Sequence, residues 1–375
     1  MNPLLMLKEY GQSVWLDYIQ RGLITTGELR RFVEEYGLGG VTSNPAIFEK
    51  AITGSADYAD MLDTLQQKKD MDAMAIYEYL AIRDIQDAAD VLMPVYEKTG
   101  KRDGYVCLEV SPFLANETQG TIVEARRLWK AVGRQNVMVK VPATSEGIPA
   151  IEQLISEGIN VNVTLLFSRE TYEHVTQAYI NGLEKLASRG GDVRTIASVA
   201  SFFVSRIDTL LDSIIEARVK TSAHANEQTL LQGIMGKVAI ANARLTYQRY
   251  KEIFRGDRWQ KLAEKGAQTQ RVLWASTSTK NPKYRDVTYV EELIGPDTVN
   301  TMPLSTIEAF RDHGRPRASL EENIVAAYDT MKTLEQLDIS MKECTDNLLR
   351  EGLRLFADAF GKLLNALDTR GIKGA

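Results

Sequence analysis

Short, apolar, β-branched runs alternate with longer helical patterns along this chain. Strand-like runs occupy residues 13–19, 40–45, 105–111, 136–143, 160–167, 196–205, 271–277 and 299–306, and helical patterns such as "GIPAIEQLISEG" lie between most of them. A strand followed by a helix, eight times over, predicts an α/β protein whose parallel sheet closes into a (β/α)8 barrel, the TIM-barrel architecture. A doubly wound open sheet is the alternative. Such a sheet usually has fewer strands, and the chain has neither a Gly-rich dinucleotide-binding turn nor a P-loop.

The chain is longer than a bare barrel requires. It has 375 residues, whereas a (β/α)8 barrel takes roughly 250. The surplus falls in an insertion, 46–104, with a long amphipathic helical pattern at 71–100, and in a tail, 315–375, which has the pattern of two helices. No Pro/Gly/Ser-rich linker separates these parts, so we expect a single barrel domain, 1–375, with helical decoration.

Charge and composition narrow the function classes. The net charge of −5 gives no basic footprint for nucleic acid and argues against anionic membrane surfaces. The start lacks the basic and apolar regions of a signal peptide, and no apolar run approaches the length of a membrane span. Cys107 and Cys344 are far apart, and the three histidines are scattered, so we expect a cytoplasmic protein without a metal or other cofactor. Whether it is a monomer or a homodimer stays open.

The stretch "NVMVKVPAT", residues 136–144, places a lysine inside an apolar run. Val137, Val139 and Val141 share one face of the predicted strand, and Lys140 lies on the other. The same alternation in the other strands gives a set of polar residues that face the barrel interior near the carboxyl end of a strand. This set comprises Asp17, Asn44, Glu109, Lys140, Asn162, Thr164 and Ser201.

Each member of this set also has a structural interpretation. A single inward Asn or Thr is usually a satisfied hydrogen-bonding group, and Lys140 could form a structural ion pair with Glu109 or extend to water. Seven such residues on one face are harder to explain, because each unpaired buried polar group costs about 1–3 kcal/mol. The carboxyl ends of the strands are also where (β/α)8 enzymes carry their chemistry. We therefore interpret the set as a functional site.

A lysine in such a place suits carbonyl chemistry. Burial disfavours the charged form of a lysine, and a neutral amine attacks a ketone or aldehyde to give a Schiff base. The protonated imine stabilises a carbanion at the neighbouring carbon, which permits carbon–carbon cleavage and formation. Asp17 and Glu109 could divide the proton transfers, with Glu109 acting as a shuttle.

Cationic and hydroxyl side chains near the ends of later strands could hold a phosphate. Arg206 follows the sixth strand, and "WASTSTKNPK" offers Ser276, Lys280 and Lys283. The alternative for Arg206 is a helix-start residue that pairs with Asp208 or Asp212.

Four stretches of the sequence resemble the transaldolase family. They are "GVTSNPAIFEKAI", "LEVSPFLANET", "VMVKVPATSEGIPAIEQLISEGINVNVTLLFS" and "FFVSRID", and the likeness spans at least residues 13–306. The resemblance implies a barrel of the class I aldolase kind and small-molecule sugar phosphates as binding partners. It also implies transfer of a dihydroxyacetone unit from a ketose phosphate (sedoheptulose 7-phosphate or fructose 6-phosphate) to an aldose phosphate (glyceraldehyde 3-phosphate or erythrose 4-phosphate). This reaction belongs to the non-oxidative pentose phosphate pathway.

The resemblance also implies a role for each residue that matches the family pattern. Lys140 matches the Schiff-base lysine, and Asp17 matches the acid/base that takes the C4 hydroxyl proton. Glu109 and Thr164 match the pair that manages the water of imine formation. The residues that would hold the dihydroxyacetone hydroxyls are Asn44, Asn162 and Ser201, and those that would contact phosphate are Arg206 and Ser276.

Two positions bear on how far the resemblance extends. Many transaldolases carry a second phosphate-binding arginine where this chain has Ser278. Lys280 would then take over this part of phosphate binding. Phe203 stands where the related fructose-6-phosphate aldolases tend to have a tyrosine that helps protonate the enamine. A phenylalanine favours transfer over simple cleavage. A lyase using the same lysine, or a non-catalytic barrel acting through partners, are the alternative functions.

Overall fold

The computed structural model describes residues 2–66 and 71–372, and its centre is a closed barrel of parallel strands. Each strand pairs with the next in sequence, and the last pairs with the first. The (β/α)8 prediction is thus confirmed, and the open sheet was wrong because no strand of this barrel is left as an edge. The strands are β1 Gln12–Asp17, β2 Gly40–Thr42, β3 Tyr105–Glu109, β4 Val137–Pro142, β5 Val161–Leu166, β6 Ser198–Phe203, β7 Arg271–Ala275 and β8 Thr298–Met302.

Helices surround the barrel and also fill the long connections. Those before β4 are α1 Pro3–Glu9, α2 Arg21–Thr25, α3 Glu28–Tyr36, α4 Pro45–Gly54, α5 Ala59–Gln66, α6 Ala73–Lys98 and α7 Thr118–Val132. Those between β4 and β7 are α8 Gly147–Ser156, α9 Arg169–Ser188, α10 Ser205–Thr221, α11 Ala225–Ile234, α12 Val238–Ile253 and α13 Asp257–Ala263. The remaining ones are α14 Thr288–Glu291, α15 Leu304–His313, α16 Ile324–Gln336 and α17 Met341–Ile372.

The long connections contain the helices that their patterns indicate. The amphipathic pattern at 71–100 forms α6, and the tail forms α16 and α17. In the described parts of the chain, no helix combines the length and the apolar character needed to cross a bilayer.

Strand register determines which polar side chains become neighbours. Glu109 on β3 lies opposite Lys140 on β4, and Lys140 lies opposite Asn162 on β5. On the other side of the barrel, Asp17 lies opposite Thr42. Residues opposite each other in a parallel sheet project to the same face, so these side chains all turn toward the barrel interior.

β5 departs from strict alternation near its end. The register with β6 shifts between Val163 and Leu166, and Leu165 has a φ of +60°. The predicted alternation of inward and outward side chains therefore ends at Thr164, because a residue with left-handed backbone changes the direction of the residues after it. The Leu165 side chain is buried, and its Cδ2 lies 2.9 Å from where a Cβ would stand at Gly352 of α17. A glycine at that point of α17 allows the helix to approach the strand end closely.

The final helix crosses the carboxyl-terminal face of the barrel. α17 contacts α4, α6, α10 and the end of β5, all of which lie at or follow the carboxyl ends of strands. Phe360 anchors it: the side chain is buried, with its ring centroid 5.0 Å from that of Tyr77 on α6, in an edge-on arrangement. The tail therefore helps to build the same end of the barrel to which the inward polar residues point.

Candidate active site

A cavity of about 630 Å³ opens at the carboxyl-terminal end of the barrel. Nine of the predicted site residues line it: Asp17, Asn44, Lys140, Thr164, Ser201, Phe203, Arg206, Ser276 and Lys280. Glu109 and Asn162 lie next to this lining, since Glu109 contacts Lys140 and Asn162 contacts Ser201. The structure thus brings together all the residues that the strand patterns and the resemblance selected.

Lys140 is held inside the barrel by two polar contacts. Its side chain is 5% exposed, with Nζ 3.1 Å from Glu109 Oε2, and it donates to the Ser43 carbonyl oxygen at 2.8 Å. Extension of the lysine to water is therefore ruled out. The contact with Glu109 does exist, but a purely structural pair would not need to face an open cavity. The amine lies where a carbonyl compound in the cavity could reach it.

Glu109 is suited to hold and release a proton. Burial raises the pKa of this carboxyl above its ordinary value, while the charge and hydrogen bond of Lys140 act against the rise. The nearby charge of Asp17 raises it further. A proton shuttle would need a carboxyl of this kind, which takes up a proton more readily than an exposed glutamate and contacts the amine.

Asp17 is held by the hydroxyl of Thr42, a residue outside the polar set predicted from the strand patterns. Thr42 Oγ1 donates to Asp17 Oδ1 at 2.7 Å and lies 2.7 Å from Thr301 Oγ1. Burial raises the pKa of Asp17, and the charge of Lys140 and the Thr42 hydrogen bond lower it in part. The signal for Thr42 was present, since it shares the inward face of its strand with Asn44. A threonine alone, however, does not suggest chemistry.

The amide and hydroxyl side chains of Asn44, Asn162 and Ser201 form hydrogen bonds within the protein. Ser201 Oγ donates to Asn162 Oδ1 at 2.7 Å, and Asn162 Nδ2 lies 3.3 Å from Cys107 Sγ. Asn44 Oδ1 caps α4 by accepting from the Ile47 backbone nitrogen at 3.0 Å. The amide oxygen of Asn44 therefore has a structural role as a helix cap, as the structural interpretation of this residue predicts.

Thr164 has a different environment from the other hydroxyls. Its Oγ1 is buried and has no hydrogen-bond partner among the described residues. An unsatisfied buried hydroxyl on a cavity wall is a ready contact for a water or a substrate oxygen, because leaving it unpaired is unfavourable.

Cations without ion-pair partners gather at the mouth of the cavity. Arg206, Lys280 and Lys50 of α4 all line it, and no carboxylate of the described residues lies within 4 Å of any of the three. Burial lowers the pKa of Arg206, and the pKa of Lys280 is lowered by burial and by the charges of Arg206 and Lys50. Like charges held together at a partly buried site favour an anion between them.

The alternative interpretation of Arg206 does not hold. Asp208 and Asp212 accept hydrogen bonds from the tyrosine hydroxyls of Tyr289 and Tyr284 instead. The Arg206 guanidinium lies over the Phe203 ring, 5.5 Å from its centroid. Of the two candidate lysines, Lys280 lines the cavity, whereas Lys283 forms an ion pair with Glu216, 3.1 Å away.

Metal ligands are not grouped among the described side chains. Within residues 2–66 and 71–372, no three His, Cys, Asp or Glu side chains are grouped so as to hold an ion.

Comparisons with known proteins agree with this geometry. The family model described as "Transaldolase/Fructose-6-phosphate aldolase" matches residues 14–367. The chain belongs to the transaldolase/fructose-6-phosphate aldolase family. It is 49% identical to a protein named transaldolase from Trichodesmium erythraeum over 372 residues, which covers 98% of this chain and 97% of that protein. A transaldolase from Thiobacillus denitrificans is 44% identical over 364 residues, covering 97% and 99% of the two chains.

Proposed function

We propose that this enzyme transfers a dihydroxyacetone unit between sugar phosphates through a Schiff base on Lys140. The donor would be sedoheptulose 7-phosphate or fructose 6-phosphate, and the acceptor glyceraldehyde 3-phosphate or erythrose 4-phosphate. One observation carries the proposal: a buried lysine, paired with Glu109, faces a cavity whose mouth carries unpaired cations. Phosphate at the mouth and a carbonyl at the lysine place a sugar phosphate lengthwise in the cavity.

The first half of the reaction forms and uses the imine. Neutral Lys140 adds to the donor C2 carbonyl, and Glu109 moves the protons that allow the C2 oxygen to leave as water, with Thr164 holding that water. Asp17 then takes the proton of the C4 hydroxyl. The C3–C4 bond breaks, its electron pair moves into the protonated imine to give an enamine, and an aldose phosphate leaves.

The second half reverses these steps on the acceptor. The enamine carbon attacks the acceptor aldehyde, Asp17 returns its proton to the new hydroxyl, and water releases the product from Lys140. Asn44, Asn162 and Ser201 would hold the hydroxyls of the three-carbon unit throughout. Arg206, Ser276 and Lys280 would hold the phosphate of donor and acceptor.

A lyase that releases free dihydroxyacetone is the second candidate. Phe203 favours transfer, because it lines the cavity without a hydroxyl that could protonate the enamine. Its ring packs against Phe167, with the centroids 5.2 Å apart, and brings no proton donor of its own to the cavity. The enamine therefore waits for an aldehyde rather than for a proton.

A two-part assay separates these functions. Fructose 6-phosphate with erythrose 4-phosphate should yield sedoheptulose 7-phosphate and glyceraldehyde 3-phosphate, while fructose 6-phosphate alone should release little dihydroxyacetone. Release as fast as transfer would establish the lyase. No turnover in either assay would leave a non-catalytic barrel. Because each proposed step uses a group of this chain, we expect full transfer activity after dialysis against a chelator.

The setting of the activity is also a proposal. Cys107 and Cys344 are both buried and unbridged, which suits a reducing cytoplasm. We propose small-molecule sugar phosphates as the binding partners, without nucleic acid or a membrane, for a chain that acts as a monomer or a homodimer.

A further inference from the structure

The segment 276–287 connects β7 to α14 and carries Ser276, Ser278 and Lys280 on the cavity wall. Two tyrosine hydroxyls tie this part of the chain to α10. Tyr284 donates to Asp212 Oδ2 at 2.7 Å, and Tyr289, just beyond the segment, donates to Asp208 Oδ2 at 2.8 Å. One bond therefore leads to α10 from the segment itself, and the other leads to α10 from α14 directly after it.

The two aspartates are also bound on their other oxygens. Asp208 Oδ1 accepts from the Ala239 backbone nitrogen at 2.8 Å, and Asp212 Oδ1 accepts from the Gly236 backbone nitrogen at 2.9 Å. The two residues are four apart on α10, so they share one face of the helix. Asp208 thus joins α10 to the first turn of α12 and to α14, and Asp212 joins α10 to the turn before α12 and to the segment 276–287.

Their burial indicates that this arrangement serves more than packing. Asp208 is 1% exposed and Asp212 is 6% exposed. Burying a carboxylate is unfavourable unless hydrogen bonds compensate for the lost water, and burial raises the pKa of Asp208 to about 6. Neither aspartate lines the cavity or contacts Lys140, so the proposed chemistry does not use them.

α10 also carries the main cation of the cavity mouth. Arg206 is the second residue of this helix, two positions before Asp208. At the same end, the Ser205 backbone nitrogen donates to the Ser276 carbonyl oxygen at 3.0 Å, and the two serine hydroxyls lie 2.9 Å apart. One helix therefore fixes Arg206 on one side and the segment with Lys280 on the other.

On the basis of the proposed function, we propose that Asp208, Asp212, Tyr284 and Tyr289 are positioning residues for phosphate. They would hold the segment 276–287 at the spacing from Arg206 at which both sides reach one phosphate group. Loss of one of these hydrogen bonds would let the segment 276–287 move relative to Arg206 and would weaken phosphate binding. It leaves the reaction at Lys140 intact, because none of the four residues touches the reacting atoms.

Tyr284→Phe tests this inference, since it removes one hydroxyl and keeps the ring against Gly236. Acceptors with and without phosphate, glyceraldehyde 3-phosphate and glyceraldehyde, would be compared at saturating fructose 6-phosphate. In a ping-pong reaction kcat/KM for the acceptor reports only the second half. We expect kcat/KM for glyceraldehyde 3-phosphate to fall about 5- to 10-fold, as for one lost hydrogen bond, and kcat/KM for glyceraldehyde to stay within about twofold. Tyr289→Phe should act in the same direction.

Tyr105→Phe is the matched control, because its hydroxyl donates to the Lys101 carbonyl oxygen, 2.6 Å away, far from the segment. It should change neither acceptor's kcat/KM. An equal loss for both acceptors in Tyr284→Phe, or no loss for either, would overturn the inference. Failure of the proposed function is distinguishable, since the wild-type protein itself would then transfer to neither acceptor and the inference would fall with it.

Discussion

Replacing Thr42 by valine would remove a hydroxyl that donates a hydrogen bond to the proposed acid/base, Asp17. Thr42 is buried, and its Oγ1 lies 2.7 Å from Asp17 Oδ1. Valine has nearly the same shape, so the variant loses the hydrogen bond without opening a cavity. The bond lowers the pKa of Asp17 against the rise that burial causes, so its loss raises that pKa further.

The magnitude follows from the kind of bond that is lost. A hydrogen bond to a charged group contributes about 1.5–3 kcal/mol, which corresponds to roughly 10- to 150-fold in rate. Asp17 must be ionised to accept the C4 hydroxyl proton. A higher pKa leaves fewer ionised molecules at acidic pH, so the acidic limb of the pH–rate profile should move to higher pH. At alkaline pH the rates of wild type and variant should approach each other.

The assay is transfer from fructose 6-phosphate to erythrose 4-phosphate, measured between pH 5 and pH 9. Thr42→Ser keeps a hydroxyl and should restore most of the profile. Thr176→Val is a matched control, because this buried threonine donates to the Tyr172 carbonyl oxygen within α9 and does not line the cavity. An acidic limb that stays in place in Thr42→Val would refute the role given to Asp17 and its hydrogen bond.

Three further predictions concern stability and substrate binding. Phe360→Ala should destabilise the protein by about 3–5 kcal/mol in urea unfolding, because its buried ring anchors α17, whereas Leu355→Ala at an exposed position of the same helix should have little effect. Burial raises the pKa of Asp208 to about 6 from 3.8, so its contribution to stability is present at pH 4 and lost as pH rises to 7. Asp208→Asn should abolish this loss, on the order of 3 kcal/mol, and parallel stability profiles of variant and wild type would contradict it. Arg206→Ala should raise KM for glyceraldehyde 3-phosphate roughly 10- to 150-fold but leave KM for glyceraldehyde nearly unchanged, and equal changes would argue against a phosphate contact.

The sequence predicted those parts of the fold that depend on local periodicity. Strand alternation placed Lys140, Glu109 and Asn162 on inward faces, because successive side chains of a strand point to opposite sides. Their contacts follow from strand register, which a single sequence does not display. Leu165 also escaped prediction, since an apolar residue in a strand gives no sign that its backbone turns left-handed.

Other parts of the site depend on how distant elements pack together. Lys50 and Thr42 reach the cavity because of how α4 and β2 are placed, yet neither residue type is unusual in its segment. The course of α17 over the barrel mouth rests on the close approach at Gly352 and the anchoring of Phe360. These contacts join residues that are far apart in the sequence. Helical periodicity therefore predicted the helix but not the surface on which it packs.

Borohydride trapping tests the central claim most directly. The protein would be incubated with fructose 6-phosphate, reduced with sodium borohydride, digested, and examined by mass spectrometry. We predict a stable adduct of the three-carbon unit on Lys140, formed only with both substrate and reductant, and no adduct in Lys140→Met. An unmodified Lys140, or an adduct on Lys50 or Lys280 in its place, would contradict the account.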